Sequence, residues 1–564
     1  MSSRSNIPTP PPVDGEEDRT FIGKPSPDVA TSSRSAVYER KMGDTELSYF
    51  LPSRQTGVND MYLHLAFDAP LHLLRRARVR LVWAILRLRH PLLSAEVVMH
   101  DYDDVRFIYN VPSDPEEALG SAEAALEFRS QTKDELVDSY LNGPRTLSNS
   151  RLSYLVISQP ALSAIPTPPR TPSPTRDGFT ATEDLSMSTG LERNLNASIG
   201  RFDVLFAAMH FLGDGMALHQ CANDFFRLVA CGKSDDELAT VLGDEWERRF
   251  GGDVAAISSD PALPVPLEAR LADPTTRFQK VATEVDFHLS QSTLVGGQTF
   301  PKRKHPDRHT VLLNKDYPSD LTKAILRKCK QNGVSISAAV FALCNIAWAR
   351  MGGGKPELPT LMYSALNLRP CFKPAKLLHD SYWFLAIGYF NVILPSFVPK
   401  SDQEKTFWHR ARQARVQSTQ AAKNMMIVSR TREMAKERGE RARGWAKEDD
   451  ERERGTWVAP APAPAAPSVK DILPARPPAP SAALMGLSLL GNLDAIYTAA
   501  EYPDVKLQGL TTGSRQRHGA MLLFGFTFAG KLCLSLGYDE NGFAEGVVEK
   551  FWEEMQRCTD EFLV

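Results

Sequence analysis

The chain lacks a surplus of charge of either sign: 66 Lys and Arg stand against 68 Asp and Glu, a formal net charge of −2 over 564 residues. That balance argues against nucleic acid as the main partner, because phosphate binding needs a basic surface. Cysteine is scarce. The seven residues form no CxxC pair and keep no regular spacing. That pattern supports neither a disulfide framework nor a structural zinc site, and it suits buried thiols in a reduced, cytoplasmic protein. No metal-ligand cluster is visible, so no metal is expected. Long hydrophobic runs are missing as well. The longest uncharged stretch, residues 334–349 (VSISAAVFALCNIAWA), is short for a membrane span and contains two serines and an asparagine. A buried helix is expected there. The N-terminus has no charged region followed by an apolar run, which argues against a secretory signal.

What the chain does have is proline- and serine-rich punctuation between periodic blocks. With 42% hydrophobic residues it is long enough for two domains and a large core. Residues 1–36 read as a disordered tail, 159–199 (with IPTPPRTPSPTRDG inside) as a flexible insert, and 458–483 as an Ala/Pro-rich linker. Residues 403–454 mix Arg and Glu along a helical pattern and read as a solvated helix face with i,i+4 pairs. The segment 351–355 (MGGGK) is a helix-to-strand turn and no phosphate loop, since Pro356 follows the lysine where Ser or Thr is needed.

The centre of the pattern is residues 201–232. Arg201 to Met209 is apolar on both faces, as a strand covered on both sides must be. From Leu218 the period changes, with Ala222, Phe225 and Val229 at helical spacing. Between strand and helix lie His210, Gly213, Asp214 and Gly215, in a turn whose glycines tolerate φ > 0 and close backbone approach. The turn holds one imidazole at the end of a rigid strand, and Asp214 suits the helix N-cap. His90, before Pro91, reads as a helix C-cap.

In this strand–turn–helix setting His-x-x-x-Asp-Gly resembles the signature of the CoA-dependent acyltransferase superfamily, which includes chloramphenicol acetyltransferases, plant BAHD acyltransferases and condensation domains of peptide synthetases. The phrases GDTELSYFLPSRQTGVNDMYLHL, GYFNVILPSF and SLLGNLD are most similar to its fungal trichothecene 15-O-acetyltransferase-like branch, over residues 38–564 outside the inserts. The resemblance implies an α/β fold of two chloramphenicol-acetyltransferase-like lobes, each a mixed sheet with helices, and a channel between them. The N-terminal lobe would span 37–290, a crossover 291–308, and the C-terminal lobe 309–564.

The resemblance further implies His210 as general base. Asp214 and Gly215 would support it structurally, with Arg369, of the phrase Asn367-Leu368-Arg369-Pro370, pairing with Asp214 across the lobes. Acyl-CoA (acetyl-CoA) would be co-substrate, with no permanently bound cofactor, and a small-molecule alcohol the acceptor of a monomeric enzyme. Direct acyl transfer needs a donor for the tetrahedral oxyanion; Ser488, Asn492 and Asn391 are candidates on apolar strands. Lys302, Arg303 and Lys304 are candidates for the phosphates of CoA.

There are departures. Met209 stands where condensation domains carry a second His, the Asp-Phe-Gly-Trp-Gly phrase of plant enzymes is absent, and no carrier-protein attachment site occurs. An O-acyltransferase acting on a trichothecene- or sesquiterpenoid-like fungal metabolite leads. A condensation-type amide-forming enzyme and a catalytically inactive ligand-binding scaffold are the alternatives.

Overall fold

Strand Ile199–Ala208, apolar on both faces, lies in the middle of a five-stranded mixed sheet in a computed structural model that describes residues 36–160, 198–251, 263–352, 354–372, 381–459 and 480–564. The sheet order is Lys506–Ser514, Met61–Pro70, Ile199–Ala208, Ser153–Ser158, Leu126–Arg129. Residues 202–208 are all buried, because partners flank the strand and both its faces are covered. The one charged residue among them, Asp203, accepts a 2.6 Å hydrogen bond from His64 Nε2 on the neighbouring strand. A buried carboxylate without such a donor would be strongly destabilising.

The second sheet has six strands, ordered Ile387–Leu394, Thr360–Asn367, Met485–Asn492, Met521–Phe528, Lys531–Asp539, Thr310–Tyr317. Its two parallel pairs meet at Met485–Asn492. A small antiparallel sheet, Val37–Lys41, Val105–Asn110 and Glu96–Met99, completes the N-terminal part. The protein is thus a mixed α/β molecule with two large mixed sheets and a hydrophobic core at each. The uncharged run 334–349 forms helix Ile336–Arg350, buried almost all round in the second core. Among the described residues no single helix is long and apolar enough to cross a membrane.

Three expectations from sequence are corrected. Leu510 to Leu536 reads in the sequence as a hairpin of two strands around Ala529 and Gly530, but residues 510–514 belong to strand Lys506–Ser514, which pairs with Met61–Pro70 in the other sheet. Only Met521–Phe528 and Lys531–Asp539 form the hairpin, turning at Ala529 and Gly530, both at positive φ. The segment 309–564 therefore lends one strand to the sheet of the N-terminal lobe. Alternation reports which face of a strand is buried but not which sheet it joins.

The second correction concerns 403–454. It is two helices, Gln403–Ala422 and Ile427–Glu453, and the latter is no free solvated face. Its small residues Ala435, Gly439, Ala442 and Ala446 are buried, and helix Asp44–Ser53 packs across it. Its charges reach sideways: Arg430 to Asp286 at 2.7 Å, Arg443 to Asp44 at 2.7 Å, and Asp450 to Arg54 and Tyr102.

Third, the apolar run 382–395 (YWFLAIGYFNVILP) reads in the sequence as one strand, but the strand starts only at Ile387 and the segment before it is not strand. It inserts Trp383 and Leu385 into the N-terminal core. The tail and both inserts lie almost wholly outside the described residues.

Candidate active site

His210 opens a short 3-10 turn, His210–Leu212, immediately after the buried strand. Its Nδ1 lies 3.1 Å from the carbonyl oxygen of Gly213. A carbonyl only accepts, so Nδ1 carries the proton and Nε2 keeps its lone pair. Tyr49, from helix Asp44–Ser53, stacks on the ring with centroids 4.4 Å apart and planes 26° from parallel. Burial lowers the imidazole below its ordinary 6.5; two backbone hydrogen bonds and Asp214 oppose that pull, and Arg438 adds to it. The ring is held neutral at pH 7, in the tautomer a general base requires.

Asp214 caps helix Gly215–Val229, its Oδ1 accepting from the backbone N–H of Ala217 at 3.1 Å. The same carboxylate accepts from both terminal nitrogens of Arg369, at 2.9 and 3.1 Å, and from the N–H of Ala386 at 3.0 Å. It is 4% exposed, and none of its hydrogen bonds goes to His210. Arg369 also lies over the ring of Phe384, 5.1 Å from its centre. Asp214 thus joins the turn carrying His210 to the second half of the chain.

The glycines of the turn act differently from the expectation. Neither Gly213 nor Gly215 adopts positive φ; Gly213 is fully extended. Gly213 is needed for close approach, because a Cβ there would sit 2.9 Å from the Trp383 ring. A Cβ at Gly215 would meet only Leu490, at 3.6 Å, so space does not demand glycine.

The remaining predicted residues separate. Ser488 lies on strand Met485–Asn492, where Leu487 and Leu489 pack into the second core while Leu490 packs against the first. Alternation puts Ser488 on the face opposite Leu487 and Leu489, toward the space between the sheets. Asn391, half-buried, lines a cavity of about 580 Å³, together with Ser48, Gln417, Tyr389 and Arg438. Asn492 is exposed, and its Oδ1 accepts from Asp494 N–H and Thr527 Oγ1, so it is a local cap removed from the interlobe space. Lys302, Arg303 and Lys304 are exposed, and Arg303 is engaged by the carbonyls of Glu540 and Asn541. His90 is the helix C-cap; its Nδ1 lies 3.0 Å from Ser381 Oγ and burial pushes it down to about 3. No group of three or more potential metal ligands occurs among the described residues.

Sequence reading missed the aromatic and cationic wall beside His210. The Tyr49 hydroxyl hydrogen-bonds the hydroxyl of Tyr389, on strand Ile387–Leu394. Arg438 lies over both rings, 4.5 Å from the centre of Tyr389 and 5.3 Å from that of Tyr49. Tyr363 packs edge-on to Tyr389 at 6.5 Å and presses so closely on Gly486 that a Cβ there would collide with its ring. The large cavity does not reach His210; it ends on Tyr389 and Arg438, with Tyr49 between them and the imidazole. Arg438 sits in a run of alternating charge with no local mark to separate it from its neighbours.

No protein-family model matches the sequence, and no curated protein sequence matches it. Solved structures do match the fold. The trichothecene 15-O-acetyltransferase of Fusarium sporotrichioides superposes with a TM-score of 0.64 at 12% identity, over 94% of this chain and 96% of that one. A nonribosomal peptide synthetase, in its α-methyl-L-serine-AMP bound form, superposes with a TM-score of 0.50 at 12% identity, over 96% of this chain and 45% of that one. The chain has the chloramphenicol acetyltransferase and condensation-domain fold, with two lobes and His210 in the turn where they meet.

Proposed function

We propose that the protein is an acyl-CoA-dependent O-acyltransferase in which His210 is the general base. The observation that carries this reading is the Nδ1–Gly213 hydrogen bond, which leaves Nε2 unprotonated. In the reaction Nε2 takes the acceptor's hydroxyl proton as the oxygen attacks the thioester carbonyl. A tetrahedral intermediate forms, the C–S bond breaks, and the imidazolium returns the proton to the leaving CoA thiolate. General-base catalysis of this kind contributes about 10²–10⁴ in rate. Asp214, held by Arg369 and two backbone N–H groups, fixes the turn and takes no part in proton transfer.

Ser488 is the oxyanion donor this reading favours, because its strand face is turned toward the interlobe space. Lys302 and Lys304 are the exposed cations proposed for the phosphates of CoA. Acetyl-CoA is the first donor to try, and a hydroxyl of a trichothecene- or sesquiterpenoid-like metabolite the first acceptor. The protein is incubated with acetyl-CoA and a panel of such alcohols and their amine analogues, following free-thiol release. His210→Ala is expected to remove about two to four orders of magnitude of turnover. Near-normal turnover in that variant refutes the mechanism, and turnover of amines alone favours the condensation-type alternative.

A further inference from the structure

Strand Ile387–Leu394 is an outermost strand of the six-stranded sheet, so one of its edges has no neighbouring strand. Two contacts fix which backbone groups face that edge. The carbonyl of Ala386 accepts from Leu368 N–H at 2.8 Å, on the side of strand Thr360–Asn367. Ile393 instead gives both its groups to the side-chain amide of Gln417: its N–H donates to Oε1 at 2.9 Å and its carbonyl accepts from Nε2 at 2.8 Å. Direction alternates along an antiparallel strand, so even-numbered residues bond strand Thr360–Asn367 and odd-numbered ones point outward. Tyr389 and Asn391 are therefore outward, and among the described residues their N–H and carbonyl groups meet no partner on that side. This edge opens into the cavity of about 580 Å³. Phe287, Leu289, Ile427 and Met434 give the cavity apolar walls. Two of its charges, Asp286 and Arg430, pair with each other at 2.7 and 2.8 Å. Arg438 forms no ion pair among the described residues; it lies over the rings of Tyr389 and Tyr49, 4.5 and 5.3 Å from their centres.

An unpaired strand edge is a template for a further extended chain of amides. Gln417 already uses it so: a carboxamide occupies the rung at Ile393, in the geometry of a ladder. The rungs at Tyr389 and Asn391 are left for a ligand, and they repeat at about 6.8 Å, the two-residue period of an extended peptide. A guanidinium without a carboxylate partner, lining the same cavity, suits a terminal carboxylate, which it binds through two parallel hydrogen bonds. The volume is that of a small-molecule pocket and takes a few residues rather than a partner protein's strand. The pantetheine arm of CoA also carries two amides. Its thioester has to meet His210, however, and Tyr49 and Tyr389 stand between the imidazole and this cavity.

We propose that this cavity binds a short N-acylated peptide with a free carboxylate terminus. Its backbone adds rungs at Tyr389 and Asn391, its apolar side chains meet Phe287, Ile427 and Met434, and its carboxylate is held by Arg438. The site is separate from the imidazole and does not depend on His210 being a base.

The full chain is titrated calorimetrically with N-acetyl-Ala-Leu-Leu, with its C-terminal amide, and with the analogue N-methylated at its peptide nitrogens. The free acid should bind saturably and about 10- to 100-fold more tightly than the amide, the scale of a charge-assisted contact. N-methylation, which removes the ladder donors, should weaken binding about 10-fold. Arg438→Gln should bring the acid down to the level of the amide. Asn391→Pro should weaken acid and amide alike, because proline removes one outward N–H and is tolerated where that N–H faces a free edge. Absence of saturable binding to the wild-type protein overturns the proposal, whether or not the variants fold. So does equal binding of acid and amide, or indifference to N-methylation. Displacement of the peptide by CoA also overturns it, since the cavity would then hold the arm of the co-substrate. His210→Ala, which tests the general base by turnover, should bind the peptide as the wild type does, so the two readings fail separately.

Discussion

Asp214 and Arg369 meet through two parallel hydrogen bonds of 2.9 and 3.1 Å, 155 residues apart in sequence, and the carboxylate makes no hydrogen bond to the imidazole four residues before it. The pair therefore positions His210 through the backbone, and the Asp214 charge reaches the ring only through space. Asp214→Asn and Arg369→Ala should both lower stability and turnover. A fully buried pair broken on one side costs about 3–5 kcal/mol. Arg369 is a quarter exposed, so water screens what is left behind and about 1–3 kcal/mol is expected. Denaturant titration of the single and double variants should give less than additive losses. Full additivity would mean the two residues do not act as one clamp.

Gly213→Ala places a methyl carbon 2.9 Å from the Trp383 ring, which is buried and has nowhere to move. Overpacking of that kind costs about 1–3 kcal/mol. Because Gly213 also accepts the Nδ1–H bond of His210, turnover should fall more than stability alone explains. A variant with wild-type kcat would show that the imidazole is not positioned through this carbonyl.

Tyr49 separates two roles. Tyr49→Phe keeps the stack on His210 and loses the hydroxyl bond to Tyr389, with an expected cost of about 1 kcal/mol. Tyr49→Ala removes the stack as well and should cost about 3–5 kcal/mol. Thermal or denaturant unfolding of the two distinguishes them; equal losses would assign the whole effect to the hydroxyl.

Acid should destabilise the protein through its buried histidines. Burial pushes His90 and His219 each down to about 3, against an ordinary 6.5. Both rings are then neutral when folded, and the unfolded chain takes up their protons first as the pH falls. Their contribution is complete above the unfolded value and is lost progressively from about pH 6.5 toward 3, by up to roughly 1.4 kcal/mol per pH unit per ring. His219→Asn should flatten part of that slope. The lowered His210 predicts in addition that the acid limb of kcat/KM lies below pH 6.5. A limb above that value would require a different base.

Much of this was legible before any coordinates. Residues 204–208 are apolar without interruption because the strand is covered there on both faces, and the following helix has 3.6-residue spacing because one face is buried. Both are local consequences of burial, so periodicity reports them. The position of His210 between them follows directly. Arg369 was reachable only through resemblance, since nothing near an Asn-Leu-Arg-Pro turn announces a partner 155 residues away.

Only the tertiary structure decided three things. Strand Lys506–Ser514 joined the sheet of the other lobe, because its alternation suits either sheet and only pairing chooses. Helix Ile427–Glu453 became a bridge between the halves, because its buried face is small residues and its charges find partners on distant elements. Tyr49 and Arg438 came together beside His210, because a ring stack and a cation over that ring depend on how elements far apart in sequence pack. The sequence by itself determined where His210 stands; which charges surround it is a property of distance in space, and linear spacing carries no record of that.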